Sequence, residues 1–155
     1  MTTIVGCLVN LTNGQIVDTD SALNRQITYG EKVLTRIGFA QKPEGLATLQ
    51  TAACESINAI ISSIVGRTSI GSQDIIGMTI GANTVMNHII CGIDPTYPQM
   101  ANADIDCRRI VRSAPEIGLA ISQNAPVCCL PNVSRFIGGM QSGTSLFQEF
   151  STAGN

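Results

Sequence analysis

Leu46, Leu49, Ala53, Ile57, Ile60 and Ile64 follow one another at steps of three and four, a spacing that lines them up along one side of an α-helix. Thr48, Glu55, Asn58 and Ser62 fall largely off that stripe. The pattern predicts one long amphipathic helix over residues 43–66, with Gly66, which has no Cβ, as its C-terminal cap. A stripe of this kind has to be covered, and the rest of the chain must supply the cover. With 155 residues, 44% of them hydrophobic, there is material for one substantial core and one globular unit.

The flanking segments read as strands and a second helix. Ile4, Val5, Cys7, Leu8 and Val9 form a β-rich run, and Asn13-Gly14 before Ile16 and Val17 favours a tight hairpin turn with positive φ. Residues 75–80 read as a buried strand, residues 81–84 as a turn, and residues 85–91 as a helix. Residues 95–115 carry prolines, polar side chains and weak periodicity, which reads as a surface excursion. Residues 127–130 are a further short apolar strand, and residues 142–155 are polar with a fraying end. The class expected is α/β, with a mixed sheet, a leading β-hairpin and flanking helices.

Composition excludes several functions. A net charge of −2, with Arg108-Arg109 the only adjacent arginine pair, gives little electrostatic drive toward nucleic acid. No apolar run reaches membrane-spanning length and no signal peptide opens the chain, so a cytoplasmic location without a membrane partner is expected. Cys7, Cys54, Cys91, Cys107, Cys128 and Cys129 include no C-x-x-C pair, so buried reduced thiols are expected rather than a metal or iron–sulfur site. His88, the only histidine, has no carboxylate or cysteine at ligand spacing and is expected to pack or to hydrogen-bond.

Three stretches are candidates for binding. Gly81 to Thr84 join a strand end to a helix start, where free N–H groups and the positive dipole end bind phosphate. Asn83 and Thr84 serve equally well as ordinary N-cap residues, and both readings stand. Phe136-Ile137-Gly138-Gly139 would let a backbone approach a ligand closely or would simply punctuate a loop. Asn24, Arg25, Gln26, Tyr29, Gly30 and Glu31 form a polar stretch suited to lining a cleft or to an exposed loop.

These segments together resemble the C-terminal actin-like (ASKHA) ATPase domain of reductive activators of corrinoid proteins, the RACo and Ram type. Thr2-Thr3-Ile4 is similar to the end of the family's D-I-G-T-T-T loop. Residues 22–37, with Asn24, Gln26, Tyr29, Gly30, Arg36 and Ile37, resemble its N-P-Q-x-x-Y-G-x-D-V-I-S-R-I block. Asn83-Thr84 through His88 and Gly92-Ile93-Asp94-Pro95 look like G-N-T-T-M-x-H and G-x-D-P. Leu130-Pro131 and Phe136 to Gly139 resemble L-P-x-x-x-x-F-V-G-A-D.

The resemblance implies an incomplete ribonuclease-H-like (ASKHA) first lobe over residues 1–139. Thr2, Thr3, Asn83, Thr84, Gly138 and Gly139 would contact nucleotide, and Asn24, Gln26, Tyr29 and Gly30 would line the cleft. In that family ATP and Mg²⁺ drive uphill electron transfer that regenerates Co(I) for methyl transfer, so the implied partners are a corrinoid protein or the remainder of a longer activator. No iron–sulfur cluster is expected in this chain.

The departures fall on phosphate-binding positions. The leading Asp and Gly are missing, Lys32 replaces an acidic residue, Ala82 and Val85 replace Gly and Thr, and Met140 stands where the family has Asp. Without those carboxylates the chain alone is expected to hydrolyse little or no ATP. Residues 140–155 read as an atypical tail, and a shifted reading frame after Gly139 in a truncated activator would account for it. A non-catalytic interaction module of the same fold and a lobe of a small-molecule kinase are the alternatives.

Overall fold

A computed structural model describes residues 2–96 and 109–131. The order is β1 (Thr3–Val9), β2 (Ile16–Leu23), a 3-10 turn (Arg25–Tyr29), α1 (Val33–Ala40), α2 (Gly45–Arg67), a second 3-10 turn (Ser72–Asp74), β3 (Met78–Ile80), α3 (Thr84–Ile90), β4 (Ile110–Ser113), α4 (Ala114–Ile117) and β5 (Pro126–Cys129). The class is α/β, as expected, but the strands form two sheets. β1 and β2 pair antiparallel with each other. The second sheet has the order β3-β5-β4 and is mixed, with β3 parallel and β4 antiparallel to β5.

The striped helix is the spine on which the hairpin, α1, α3 and α4 pack. Leu49, Ala53, Ile57, Ile60 and Ile64 are buried, and so are Ala52, Cys54, Ser56 and Ile61, a wider arc than one stripe. The arc is wide because α2 is covered from two sides. Ala53, Cys54, Ile57 and Ile61 meet Met86 and Ile90 of α3, Ile117 of α4 and Val127 of β5 in the main core. Ile60 lies against β1 at Gly6, where a Cβ would stand 2.8 Å from Ile60 Cγ2. A smaller core joins Leu49 to Ile37 of α1 and to Val85 and Ile89 of α3. Each fully buried isoleucine contributes about 1.5–3 kcal/mol.

The polar side chains of α2 hold its neighbours. Asn58 donates to Gly118 O (2.9 Å) and accepts from Ala120 N (2.8 Å). Gln50 donates to Ile90 O at the end of α3 (2.9 Å). Arg67 closes on the hairpin, donating to Asp18 (3.0 Å), Asp20 (3.1 Å) and Thr19 O (3.3 Å).

The Arg67 clasp makes a pH prediction. Hydrogen bonds from Ser63, from Ser21 N and from Arg67 hold the Asp20 carboxyl below its usual range. A depressed carboxyl contributes in full above its unfolded value, and the contribution is lost as pH falls through the folded value. Because the clasp is partly exposed, with Arg67 at 47%, solvent and salt screen it. The thermal midpoint of the chain should therefore fall more steeply on acidification than that of Asp20→Asn. Superimposable acid profiles for the two proteins would contradict the clasp.

Several expectations change in detail. α2 runs to Arg67 with Thr68 as cap, not Gly66, because Thr68 N and its hydroxyl both satisfy Ile64 O (3.0 and 2.9 Å). The hairpin loop is wider than a two-residue turn. Gly14, at φ +73°, donates to Asn10 O (2.8 Å), and the register shifts between Leu8 and Val9. The strand expected over residues 75–80 shortens to β3 and is only half-buried, since Ile75 N is held by Ser72 O in the preceding turn.

Within the stretch read as a surface excursion, β4 adds to β5, and Pro115 lies in the first turn of α4 rather than in a loop. Glu116 accepts from Ser113 N there (2.8 Å). Residues 97–108 and the tail expected over residues 140–155 lie outside the described residues.

Candidate functional site

The hairpin's open end, the 3-10 turn after it and the start of α3 are joined by one chain of hydrogen bonds. Asn24 N donates to Thr2 O (2.8 Å), which ties the turn to the first strand. Asn24 Oδ1 caps the turn through Gln26 N (3.1 Å), as its position just before the turn predisposes it to do. Gln26 Nε2 reaches Leu49 O on α2 (2.8 Å), and Arg25 N donates to Ser56 Oγ (3.0 Å). Both anchors exist because α2 is buried here and presents backbone and hydroxyl groups to the turn.

Arg36 carries the chain onward. It projects from α1 with 1% exposure and donates from Nε to Gly30 O (2.7 Å) and from Nη1 to Gln26 Oε1 (3.2 Å) and Met86 Sδ (3.5 Å). Burial lowers its pKa from the usual arginine value. Met86 N in turn donates to Asn83 Oδ1 (2.9 Å), which caps α3. One buried guanidinium thus links two stretches that lie far apart in sequence.

The residues named from sequence fall in different environments. Asn24 and Gln26 are 0% exposed and form the support of the turn rather than an open surface. Tyr29 borders an open depression of about 420 Å³ with Glu44, Thr48, Thr51 and Glu55. Gly30 is half-buried and gives its carbonyl to Arg36. Thr2 and Thr3 are exposed at the hairpin end. Asn83 is half-buried and acts as the helix cap, whereas Thr84 is 1% exposed. Gly138 and Gly139 lie outside the described residues.

The far end of α3 is closed by its own motif. Gly92, at φ +68°, donates to Ile89 O (3.1 Å) while Ile93 N donates to His88 O (2.8 Å), the paired bonds that end a helix at a left-handed residue. Asp94 then accepts from Thr96 N (2.9 Å) and from the Thr96 hydroxyl, and these bonds lower its pKa, with His88 adding a smaller effect. Gly92 and Asp94 therefore shape the turn that leaves α3. His88 is buried in the last turn of that helix.

Among the described residues no three His, Cys, Asp or Glu side chains converge as a metal cage, and no helix is long and apolar enough to cross a membrane. Gly81, two residues before the Asn83 cap, is exposed like Thr2 and Thr3. Sequence reasoning missed Arg36 as a site residue. The signal was present: Val33, Arg36, Ile37 and Ala40 fall at one stripe spacing, and a charged residue there should be buried with partners.

Comparison with known proteins places these segments in context. A family model described as the RACo middle region matches residues 1–152. A corrinoid activation enzyme, RamQ of Eubacterium limosum, is 28% identical over an alignment of 139 residues that covers 88% of this chain and 23% of the relative. A solved structure of a reductive activator for corrinoid, iron–sulfur protein superposes with a TM-score of 0.88 at 27% identity, covering 95% of this chain and 24% of that one. The chain spans about a quarter of the length of each. The matching model is that of the middle region, whereas the motif resemblance pointed to the C-terminal ATPase domain.

Proposed function

Because the chain belongs to the RACo middle region family, we propose that it works as a segment of a reductive activator of corrinoid proteins. In this reading it forms part of the first lobe of an ASKHA-type ATPase and contributes one wall of its nucleotide cleft. The observation that carries the reading is the Arg36 junction. It joins the Asn24 to Ile37 block to the start of α3, two segments that carry the motif resemblance.

The division of labour follows from the groups present. Thr2, Thr3, Gly81 and Asn83 are the contacts this chain offers to phosphate, and Asn24, Gln26 and Arg36 keep them in register from behind. Magnesium, which would neutralise phosphate charge, needs carboxylate or water ligands that other parts of an activator would supply. Hydrolysis by this chain alone is expected to be negligible, and a corrinoid protein is the proposed partner.

Calorimetric titration of the purified chain with Mg-ATP and a non-hydrolysable analogue tests the proposal. A half-cleft should bind with a Kd of order 1 mM, about −4 kcal/mol, and Asn83→Ala, which also loosens the cap, should weaken binding further. Absence of any Mg-dependent heat well above that concentration would remove the nucleotide reading.

One observation favours a second reading, a docking module without nucleotide chemistry. The hairpin face turned away from α2 exposes Val5 (68%) and Leu23 (67%), and its loop exposes Leu11 (77%), more apolar surface than a two-stranded ribbon needs. Val5→Glu would then abolish capture of a corrinoid protein or of the rest of an activator while leaving Mg-ATP heats unchanged.

A further inference from the structure

Away from that junction, two buried thiols meet. Cys91 caps the C-terminal end of α3 and Cys129 ends β5, and their sulfurs lie 3.3 Å apart although 38 residues separate them in sequence. Both side chains are enclosed, at 6% and 1% exposure. At that separation the two sulfurs are within hydrogen-bonding reach, and either thiol can donate. Sequence spacing alone does not disclose it, because no C-x-x-C motif is involved.

We propose that Cys91 and Cys129 are an oxidisable dithiol that closes to a disulfide between α3 and β5 on reaction with a hydroperoxide. A disulfide has sulfurs about 2 Å apart, so closure needs an approach on the order of 1 Å. Cys91 is the attacking sulfur because it is the more accessible of the two, at 6% exposure against 1%. With Cys129 as donor the hydrogen bond lowers the Cys91 pKa against the opposing effect of burial, and Arg112 adds a smaller lowering. Cys54, the third buried thiol nearby, is pushed up to about 11 by burial and stays protonated. Cys128 follows the alternation of β5 to the other face.

The chemistry balances in two steps. The Cys91 thiolate attacks one peroxide oxygen and the O–O bond breaks. The departing hydroxide takes up a proton and leaves as water, with Cys91 left as a sulfenic acid. The Cys129 sulfur then attacks the Cys91 sulfur, the S–O bond breaks, and the Cys129 proton leaves with the hydroxyl as a second water. Two thiols lose two electrons in total, and the peroxide gains them. The product ties the helix that begins at Asn83 to the central strand of the mixed sheet, and it depends on neither nucleotide binding nor a corrinoid partner.

The test treats the folded, reduced, full chain with equimolar hydrogen peroxide, alkylates the remaining thiols in denaturant and maps the products by peptide mass spectrometry. The expected product is a peptide pair joined through Cys91 and Cys129, lighter by two hydrogens and reversed by dithiothreitol. Cys128→Ser should keep the link. Cys129→Ser should lose it and leave a Cys91 sulfenic acid that dimedone traps. The unsubstituted chain is decisive without requiring that variant to fold. Full alkylation of every cysteine after peroxide, or a link through Cys54, Cys107 or Cys128 instead, overturns the proposal.

Discussion

Arg36→Ala is expected to remove about 3–5 kcal/mol of folding stability, a large share of what a domain of this size has. The loss has two parts. Gly30 O loses its charged donor at 2.7 Å, and Gln26 Oε1 loses its shorter bond at 3.2 Å while keeping the one from Asn24 Nδ2 at 3.4 Å; a buried acceptor left without its donor costs about 1–3 kcal/mol. The truncation also opens a cavity between α1, the 3-10 turn and Met86 of α3, since Arg36 is among the largest fully buried side chains. Arg36→Lys should fall between the two proteins, because a single ammonium lacks the fork that reaches Gly30 and Gln26 together. Denaturant unfolding with an unchanged m-value measures the effect. A loss under about 1 kcal/mol for the alanine variant would mean that the junction is not a structural unit.

Gly45→Ala is expected to cost about 3 kcal/mol, the upper end for overpacking. The corner between α1 and α2 turns through Glu44, which holds a left-handed conformation at φ 58°, and Gly45 N donates to Lys42 O (2.9 Å). A Cβ at Gly45 would stand 2.0 Å from Phe39 O and 3.0 Å from Phe39 C. These are backbone atoms, so no rotamer change relieves the clash, and the end of α1 has to move. That movement would also disturb the Phe39 ring, which meets Tyr29 at 4.9 Å. The adjacent Glu44→Gly should act in the opposite direction, with a gain of up to about 1 kcal/mol from relief of the positive φ. Equal effects at the two positions would refute this geometry of the corner.

The legibility of the chain followed the physics of periodicity. α2 could be read because its stripe repeats over many turns, and the hairpin because Asn13-Gly14 sits between β-rich runs. β4 could not be read. Four residues with Arg112 and Ser113 among them carry no period, and their strand character comes from pairing with β5. Polarity misled in a different way at the junction. Asn24 and Gln26 look like surface residues in a sequence, but long-range partners on α2 and α1 satisfy them and draw them inside. Leu34 shows the converse, since it is 65% exposed two positions before the buried Arg36.

The order of strands in the mixed sheet bears on how the chain is made. Among the described residues β3 and β4 flank β5, their shared neighbour, and β5 is the last of the described strands to be synthesised. Until residues 126–129 leave the ribosome, both strands wait for their pairing with β5, one of them for nearly fifty residues of elongation after Met78. At about 5–20 residues per second that interval lasts some seconds, long enough for open strand edges to find other chains. α2 precedes both strands in synthesis, so its apolar arc is available to shelter Met78 and Ile80 before their hydrogen-bonding partner exists.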